Sequence, residues 1–167
     1  MHDQQKGMVV GVDVGVTGAV CLFDQRLGRI ISITDMPTKE SHTGRRITNI
    51  LELYYLLCQC KKLGAQCIIM ESLHAFPQSG AIQSFSLGHS KGLVEGLAVA
   101  LSMPLYTVSP QKWKKHYGLL KICKEGSCDV LRGMDIGGNK FVTHKKHHNR
   151  AEAALIAALP ASVYCPV

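Results

Sequence analysis

Two acidic residues stand at the ends of apolar runs, where a carboxylate is unusual. Asp13 ends the run VVGVD, and Glu71 ends the run CIIME. Burying a lone carboxylate is costly, so an acid at the end of a buried strand indicates a purpose beyond packing, although Asp13 could simply cap the following turn and Glu71 could pair with a lysine. If the two strands are neighbours in one sheet, both acids project from the same edge.

A third carboxylate and a histidine share one face of the last predicted helix. His148 and Glu152 lie four residues apart in HHNRAEAAL, and residues at this spacing are neighbours on a helix. The helix begins among cations, whereas acids are favoured there because the macrodipole is positive at a helix N-terminus. The pattern indicates that a metal ion or an anionic ligand belongs at this end.

Three carboxylates and an imidazole that converge would form an oxygen-rich site for hard divalent cations. Two such ions, roughly 3.5–4 Å apart, can activate a water and hold both oxygens of a phosphodiester displacement. We therefore predict a catalytic and metal-binding site with two Mg²⁺ ions, for which Mn²⁺ can substitute. Its predicted members are Asp13, Glu71, His148 and Glu152.

The positive charge of the chain is concentrated in one segment. Residues 111–150 hold ten lysines and arginines against three acids, whereas the rest of the chain is neutral, so the segment carries the whole net charge of +7. A basic segment on a neutral body indicates a polyanionic partner, although a solvated surface is the alternative. Beside a metal site suited to phosphodiesters, the expected polyanion is nucleic acid, with the cations of 144–150 facing phosphate.

The order of predicted elements is β-β-β-α-β-α-β-α, which is typical of a mixed sheet covered by helices on both faces. We predict an α/β fold with a five-stranded sheet, in which three antiparallel strands precede alternating βα units. The chain is predicted to be a single domain over 1–167, with its core at about 8–158. Residues 37–47 are predicted as a polar loop, and 122–143 have no clear pattern. The predicted strands are 9–16, 18–24, 28–36, 65–72 and 103–110, and the predicted helices are 47–64, 80–101, one starting at Ser109-Pro110, and 148–158.

Small residues recur every four positions along the second helix, at Gly80, Ser84, Gly88, Gly92, Gly96 and Ala100. Glycine inside a helix costs about 1 kcal/mol relative to alanine. Such a stripe indicates that another backbone approaches closely. The approaching backbone is either the protein's own sheet or a second subunit.

The cysteines indicate a reducing, intracellular compartment, because their number is odd and several lie in apolar runs. A zinc site from Cys58, Cys60 and the histidines of 144–148 is an alternative use of these residues. No membrane span and no signal-peptide pattern is found in the sequence. The segment GVDVGVTGAV also matches the phosphate hairpin of sugar kinases, actin and chaperone ATPases, which however need two lobes and a second hairpin.

Five segments together resemble the RuvC-like Holliday junction resolvases of the RNase H-like fold, in the branch found in phages, bacteria and chloroplasts. They are GVDVGVTGA, IIMESLHAFPQSG, FSLGHSKGLVEGLAVAL, VSPQKWKKHYGL and KKHHNRAEAALIAAL, and they cover most of residues 8–158. The resemblance implies a homodimeric, Mg²⁺-dependent endodeoxyribonuclease that resolves four-way DNA junctions. Its partner is branched DNA rather than a membrane or a small-molecule substrate, in an organelle or a bacterial or phage-infected cytoplasm.

The resemblance also assigns residues. Asp13, Glu71, His148 and Glu152 match the metal site of the family, and the glycine-bearing helix matches its dimer interface, here Gly88, Gly92 and Gly96. The loop after Glu71 is expected at the junction centre and offers Phe76, Gln78, Gln83 and Phe85. The predicted phosphate contacts are Lys112, Lys114, Lys115, Lys121, Lys124, Lys145, Lys146 and Arg150.

Two residues depart from the family pattern beside the predicted site. His147 stands where the family has aspartate, and Asn149 stands where it has glycine. The first departure lowers the local negative charge, and the second affects the start of the helix. These departures leave a second hypothesis open, in which the chain binds junctions without cutting them.

Overall fold

The structure is a computed structural model that describes residues 7–72 and 80–167. The described residues form eight strands and five α-helices, with 3-10 turns at Gly138–Lys140 and Lys145–His147. The strands are β1 Met8–Asp13, β2 Ala19–Asp24, β3 Arg29–Asp35, β4 Thr38–Glu40, β5 Arg46–Thr48, β6 Ala65–Glu71, β7 Leu105–Val108 and β8 Cys165–Pro166. The helices are α1 Ile50–Lys62, α2 Ala81–Ala100, α3 Pro110–His116, α4 Gly126–Gly133 and α5 His148–Ala157.

Six of the strands form one mixed sheet in the order β3-β2-β1-β6-β7-β8. The first three are antiparallel, β1–β6 and β6–β7 are parallel, and β8 runs antiparallel to β7. The mixed sheet is confirmed, but the predicted number of five strands is wrong. The sixth, β8, is two residues long and too short for a sequence pattern to show.

The segment predicted as a polar loop over 37–47 is also different. It contains the antiparallel hairpin β4–β5, in which Glu40 pairs with Arg46 and Lys39 with Ile47. The hairpin is mostly polar and exposed, so no apolar alternation marks it. The buried Thr48 hydroxyl lies 3.2 Å from that of Ser90, which connects the hairpin to α2.

Each face of the six-stranded sheet is covered by its own apolar core, because side chains alternate between the faces along a strand. Val10 and Val12 of β1 pack with residues of α1 and α2. Val9 packs on the other face with residues of α3, α4 and α5, including Trp113. The prediction of helices on both faces is therefore confirmed.

Local signals account for the starts of two helices. The side chain of Asn49 accepts a hydrogen bond from the backbone N–H of Glu52 at the start of α1. Ser109 caps α3, and Pro110 occupies its first turn, as predicted. Within 122–143 the structure forms α4, whose Cys128 and Leu131 are fully buried.

The glycine stripe of α2 faces away from the sheet. Gly88, Gly92 and Gly96 are exposed, and a Cβ added to any of them would meet nothing within 4 Å. Of the two explanations for the stripe, packing against the protein's own sheet is thereby excluded. Within 7–72 and 80–167, no helix is long and apolar enough to cross a membrane.

Candidate active site

The two strand-end acids lie side by side. β1 and β6 are parallel neighbours, and Val12 is paired with Met70. The next residue on each strand is Asp13 and Glu71, so both carboxylates emerge at the same edge of the sheet. The condition that the sequence left open, that the two strands are neighbours in one sheet, is therefore met.

A close approach of α5 to the sheet brings the third carboxylate to this edge. A Cβ at Gly11 of β1 would collide with the carbonyl oxygen of Ala153 and with Ala157. Glycine at this position therefore lets α5 lie directly on β1. One residue before Ala153, Glu152 reaches the strand-end acids, and His148 precedes it by one helical turn.

The four side chains influence one another electrostatically. Burial raises the pKa of Asp13 well above its usual value, and the charges of Glu152 and Glu71 raise it further. Burial also raises the pKa of Glu152. The charge of Lys114 lowers this pKa, the charge of Glu71 raises it, and the charge of His148 lowers it. Asp13, Glu71 and Glu152 thus form one negative cluster with His148 at its side.

The carboxylates are nevertheless not gathered into a closed cage. The indole N–H of Trp113 donates to Glu71 Oε1 at 2.7 Å, and the Ser127 hydroxyl donates to Glu152 Oε1 at 3.3 Å. Throughout the described part of the chain, no three His, Cys, Asp or Glu side chains are close enough together to hold a metal ion. The predicted cage is therefore not preformed, although its members are neighbours.

The alternative zinc site is not supported by the geometry. Cys60 belongs to the core between α1 and the sheet, whereas α5 packs on the opposite face. The sheet therefore separates Cys58 and Cys60 from the histidines of 144–148. The phosphate-hairpin alternative finds no support either, since residues 7–72 and 80–167 contain one main sheet rather than two lobes.

The raised pKa of Asp13 predicts how stability depends on pH without metal. Between the usual pKa of aspartate, about 4, and the raised value, the folded state binds more protons than the unfolded state. The free energy of unfolding therefore falls as pH rises through this window, and this loss of stability is complete above the raised pKa. In EDTA at pH 7.5, we expect Asp13→Asn to raise Tm by at least about 2 °C, the shift that roughly 1 kcal/mol produces in a chain of this size.

Thermal unfolding at several pH values checks this prediction, with Asp35→Asn as the matched control. Arg150 donates to both oxygens of Asp35 at 2.6 Å and lowers the pKa of that carboxyl. The control should therefore lower Tm at pH 7.5, opposite to Asp13→Asn. A Tm advantage of Asp13→Asn that does not shrink as pH falls toward 4 would contradict the buried-charge explanation.

Positive side chains lie near the negative cluster and along a cleft next to His148. Lys114 and Lys124 lie near enough to oppose the rise in the pKa of Asp13. A cleft of about 500 Å³ opens beside His148, and its walls include Arg46 and Lys146. Arg150 also lines the cleft, but its guanidinium is engaged by Asp35 and by the Phe141 carbonyl. The candidate site is therefore an acidic centre with a basic border.

The other predicted phosphate contacts are placed on two segments next to this border. Lys112 and Lys115 are exposed on α3, and Lys121 follows it with a positive φ of 65°. Lys145 and Lys146 are exposed in the 3-10 turn before α5. Their roles as DNA contacts remain predictions.

The residues expected at the junction centre are only partly described. Phe76 and Gln78 lie outside the described residues. Gln83 and Phe85 are in the first turns of α2, so their placement in the loop after Glu71 is wrong, whereas their role as DNA contacts stays a prediction. Phe85 is 77% exposed, and its ring stacks on that of His89 with centroids 6.3 Å apart.

Three residues of the site were missed in the sequence. Trp113 contacts Glu71 across 42 positions, which becomes visible only when the β6–β7 pairing is known. Ser127 lies on α4, which has no clear pattern, and Arg46 lies in the hairpin predicted as a loop. The sequence did contain a signal for Trp113. It is the only tryptophan, and it lies in the first turns of a helix whose start is marked by Ser109-Pro110.

The two residues that depart from the family pattern, Asn149 and His147, each contact another residue of the chain. The Asn149 side chain donates to the Thr17 carbonyl at 2.5 Å and so connects the start of α5 to the β1–β2 turn. His147 precedes α5, and its ring lies edge-on to that of His144 with centroids 5.3 Å apart. Burial lowers the pKa of His147, and its Nδ1 is buried without a hydrogen-bond partner in the described structure.

Comparisons with known proteins identify the fold. No protein-family model and no curated protein matches the sequence. Among solved structures, Thermus thermophilus RuvC in complex with a Holliday junction substrate matches with a TM-score of 0.64. A second structure of Thermus thermophilus RuvC matches with a TM-score of 0.60. In both matches the two sequences are 18% identical, and the alignment covers 96% of this chain and 99% of the RuvC chain. The chain therefore has the RuvC fold, which is RNase H-like, and the resemblance seen in the sequence is confirmed at the level of the fold.

Proposed function

We propose that this protein is a metal-dependent endonuclease that resolves four-way DNA junctions as a homodimer. The observation that carries the proposal is the cluster of Asp13, Glu71 and Glu152 with His148 at one edge of the sheet. The cluster lies beside exposed lysines, in a chain with the fold of a protein solved on a Holliday junction substrate. A four-way junction needs two symmetric nicks, and a two-fold dimer supplies two such sites.

The donor set fits Mg²⁺. Three carboxylates supply oxygen ligands, which Mg²⁺ prefers. The pKa values of Asp13 and Glu152 are raised by burial and by the neighbouring carboxylates, whose charge a divalent cation would neutralise. Asp13, Glu71, Glu152 and His148 would hold two ions, with Mn²⁺ as a substitute. The chemistry that these ions supply when bound is Lewis-acid stabilisation of the phosphodiester in its transition state.

The protein's own residues complete the reaction. Trp113 and Ser127 donate hydrogen bonds to the carboxylates of Glu71 and Glu152. His148 is half-buried at the start of α5, where its imidazole can bind a metal ion or transfer a proton. Exposed lysines on α3 and in 145–146 hold the DNA backbone, which would supply affinity rather than sequence specificity.

A protein that binds junctions without cutting them is the second candidate. Two observations favour it: His147 stands where the family pattern has aspartate, and the carboxylates are arranged openly. Incubating the protein with a labelled synthetic four-way junction, with and without Mg²⁺, separates the candidates. Metal-dependent nicks support the nuclease, whereas a retarded but intact junction supports the binding protein.

The proposed dimer predicts the effect of a bulky residue on the glycine stripe. A side chain at Gly92 would meet nothing within 4 Å in the same chain. Leucine also forms helices better than glycine by close to 1 kcal/mol. We expect Gly92→Leu to convert the dimer to a folded monomer, measured by multi-angle light scattering together with circular dichroism.

Gly133→Leu is the matched control for this variant. Gly133 ends α4, is exposed, and likewise has open space where a Cβ would lie. The control should remain dimeric, because α4 is not part of the proposed interface. A Gly92→Leu protein with the wild-type dimer mass would show that the stripe does not face a second subunit.

A further inference from the structure

The closest partner of Glu71 is the indole of Trp113. The indole nitrogen lies 2.7 Å from Glu71 Oε1, at the short end of the range for N–H···O bonds. Trp113 is fully buried, and an indole nitrogen is a donor only. A buried indole N–H needs an acceptor, and here the acceptor is a carboxylate of the candidate site.

The fold fixes this contact through two neighbouring strands. Glu71 ends β6 opposite Val108, the last residue of β7. The next residue, Ser109, caps α3. The backbone N–H of Trp113 donates to the Ser109 carbonyl at 3.2 Å. One helical turn therefore places the indole beside Glu71, and the ring packs in the core between the sheet and α5.

We propose that Trp113 is a positioning residue for the metal site, which holds the Glu71 carboxylate in the orientation needed to bind a divalent cation. The inference rests on the proposed nuclease function and deepens it. The indole N–H uses one lone pair of Oε1, which leaves Oε2 and the remaining lone pairs free for an ion. Removing a hydrogen-bond partner of a metal ligand typically costs about 10–100-fold in metal affinity.

The substitution that tests this is Trp113→Phe, which keeps an aromatic ring and removes the donor. We expect its dissociation constant for Mg²⁺ to rise about 10–100-fold in calorimetric titrations without DNA. Tyr117→Phe is the matched control, because the Tyr117 hydroxyl donates at 2.8 Å in the same core to a backbone carbonyl, that of Leu155, rather than to a carboxylate. The control should bind Mg²⁺ as the wild type does.

A second measurement needs no change at position 113. Trp113 is the only tryptophan, so the intrinsic tryptophan fluorescence of the protein reports on this one ring. Titration with Mg²⁺ should shift or quench the emission of the wild type with the same midpoint as calorimetric binding. In Glu71→Gln the response should be lost, although the amide oxygen can still accept from the indole.

The outcomes separate this inference from the proposed function. Equal Mg²⁺ affinities for folded Trp113→Phe and Tyr117→Phe, or Mg²⁺ binding without any fluorescence response, would overturn the positioning role and leave the nuclease intact. A wild type that neither binds Mg²⁺ nor cuts junctions would overturn both. Should Trp113→Phe fail to fold, the fluorescence titration of the wild type and Glu71→Gln decides alone.

Discussion

Asp13→Asn is expected to lower the rate of junction cleavage by at least about 10²–10³-fold, the scale on which removing one charge-stabilising group acts in an active site. Asp13 interacts electrostatically with both Glu152 and Glu71. An amide of the same shape removes the charge that would hold a metal ion. Glu71→Gln should have an effect of the same size, measured as single-turnover cleavage of a labelled junction.

Binding of the junction should survive in both variants, because affinity comes chiefly from phosphate contacts. Gel retardation in EDTA should give the wild-type dissociation constant or a slightly lower one, since a negative charge has been removed. Asp129→Asn is the control, because Asp129 is exposed and pairs with Arg132 on α4. Loss of binding together with cleavage in Asp13→Asn would mean that Asp13 has a structural role instead.

The second large effect is expected at His148. This residue begins α5 and lies one turn before Glu152, whose pKa it lowers. His148→Ala should lose nearly all cleavage, on the order of 10²-fold or more, as expected for a general acid or base. His148→Asp should retain measurable activity, because a carboxylate can also bind Mg²⁺ and is favoured at a helix N-terminus.

His147→Ala is the matched control, since the two histidines are adjacent but have different partners. His147 precedes the helix and packs against His144, whereas His148 is the histidine that lowers the pKa of Glu152. Its replacement should change the cleavage rate only a few-fold, in the same single-turnover assay and with Tm measured beside it. An inactive His147→Ala with an active His148→Ala would reverse the two roles.

The acidic centre could be predicted because strand periodicity and helix periodicity place its members independently. Asp13 and Glu71 end buried strands that are parallel neighbours in the structure. The predicted helix 148–158 differs from α5 by one residue. The short spacing between His148 and Glu152 made their common face certain once the helix was assigned. These are patterns that a few local residues determine.

The border of the site depends on tertiary contacts and could not be predicted. Arg46 reaches the cleft through a hairpin of two three-residue strands with mostly polar side chains. α4 has glycine at both ends and is stabilised by burial of Leu131 and by the Cys128 thiol, which donates to the Lys145 carbonyl at 3.5 Å. Such elements form because the rest of the fold is present, so their own sequences carry little signal.

The central claim, that the acidic cluster cuts symmetric strands of a four-way junction, is tested most directly by mapping nicks on a synthetic junction. Each of the four strands is labelled in turn, and the wild type and Asp13→Asn are compared with and without Mg²⁺. We expect paired nicks at symmetric positions on two opposite strands, in the wild type with Mg²⁺ only. An intact junction that the wild type binds in the presence of Mg²⁺ or Mn²⁺, or equal nicks in Asp13→Asn, would contradict the account.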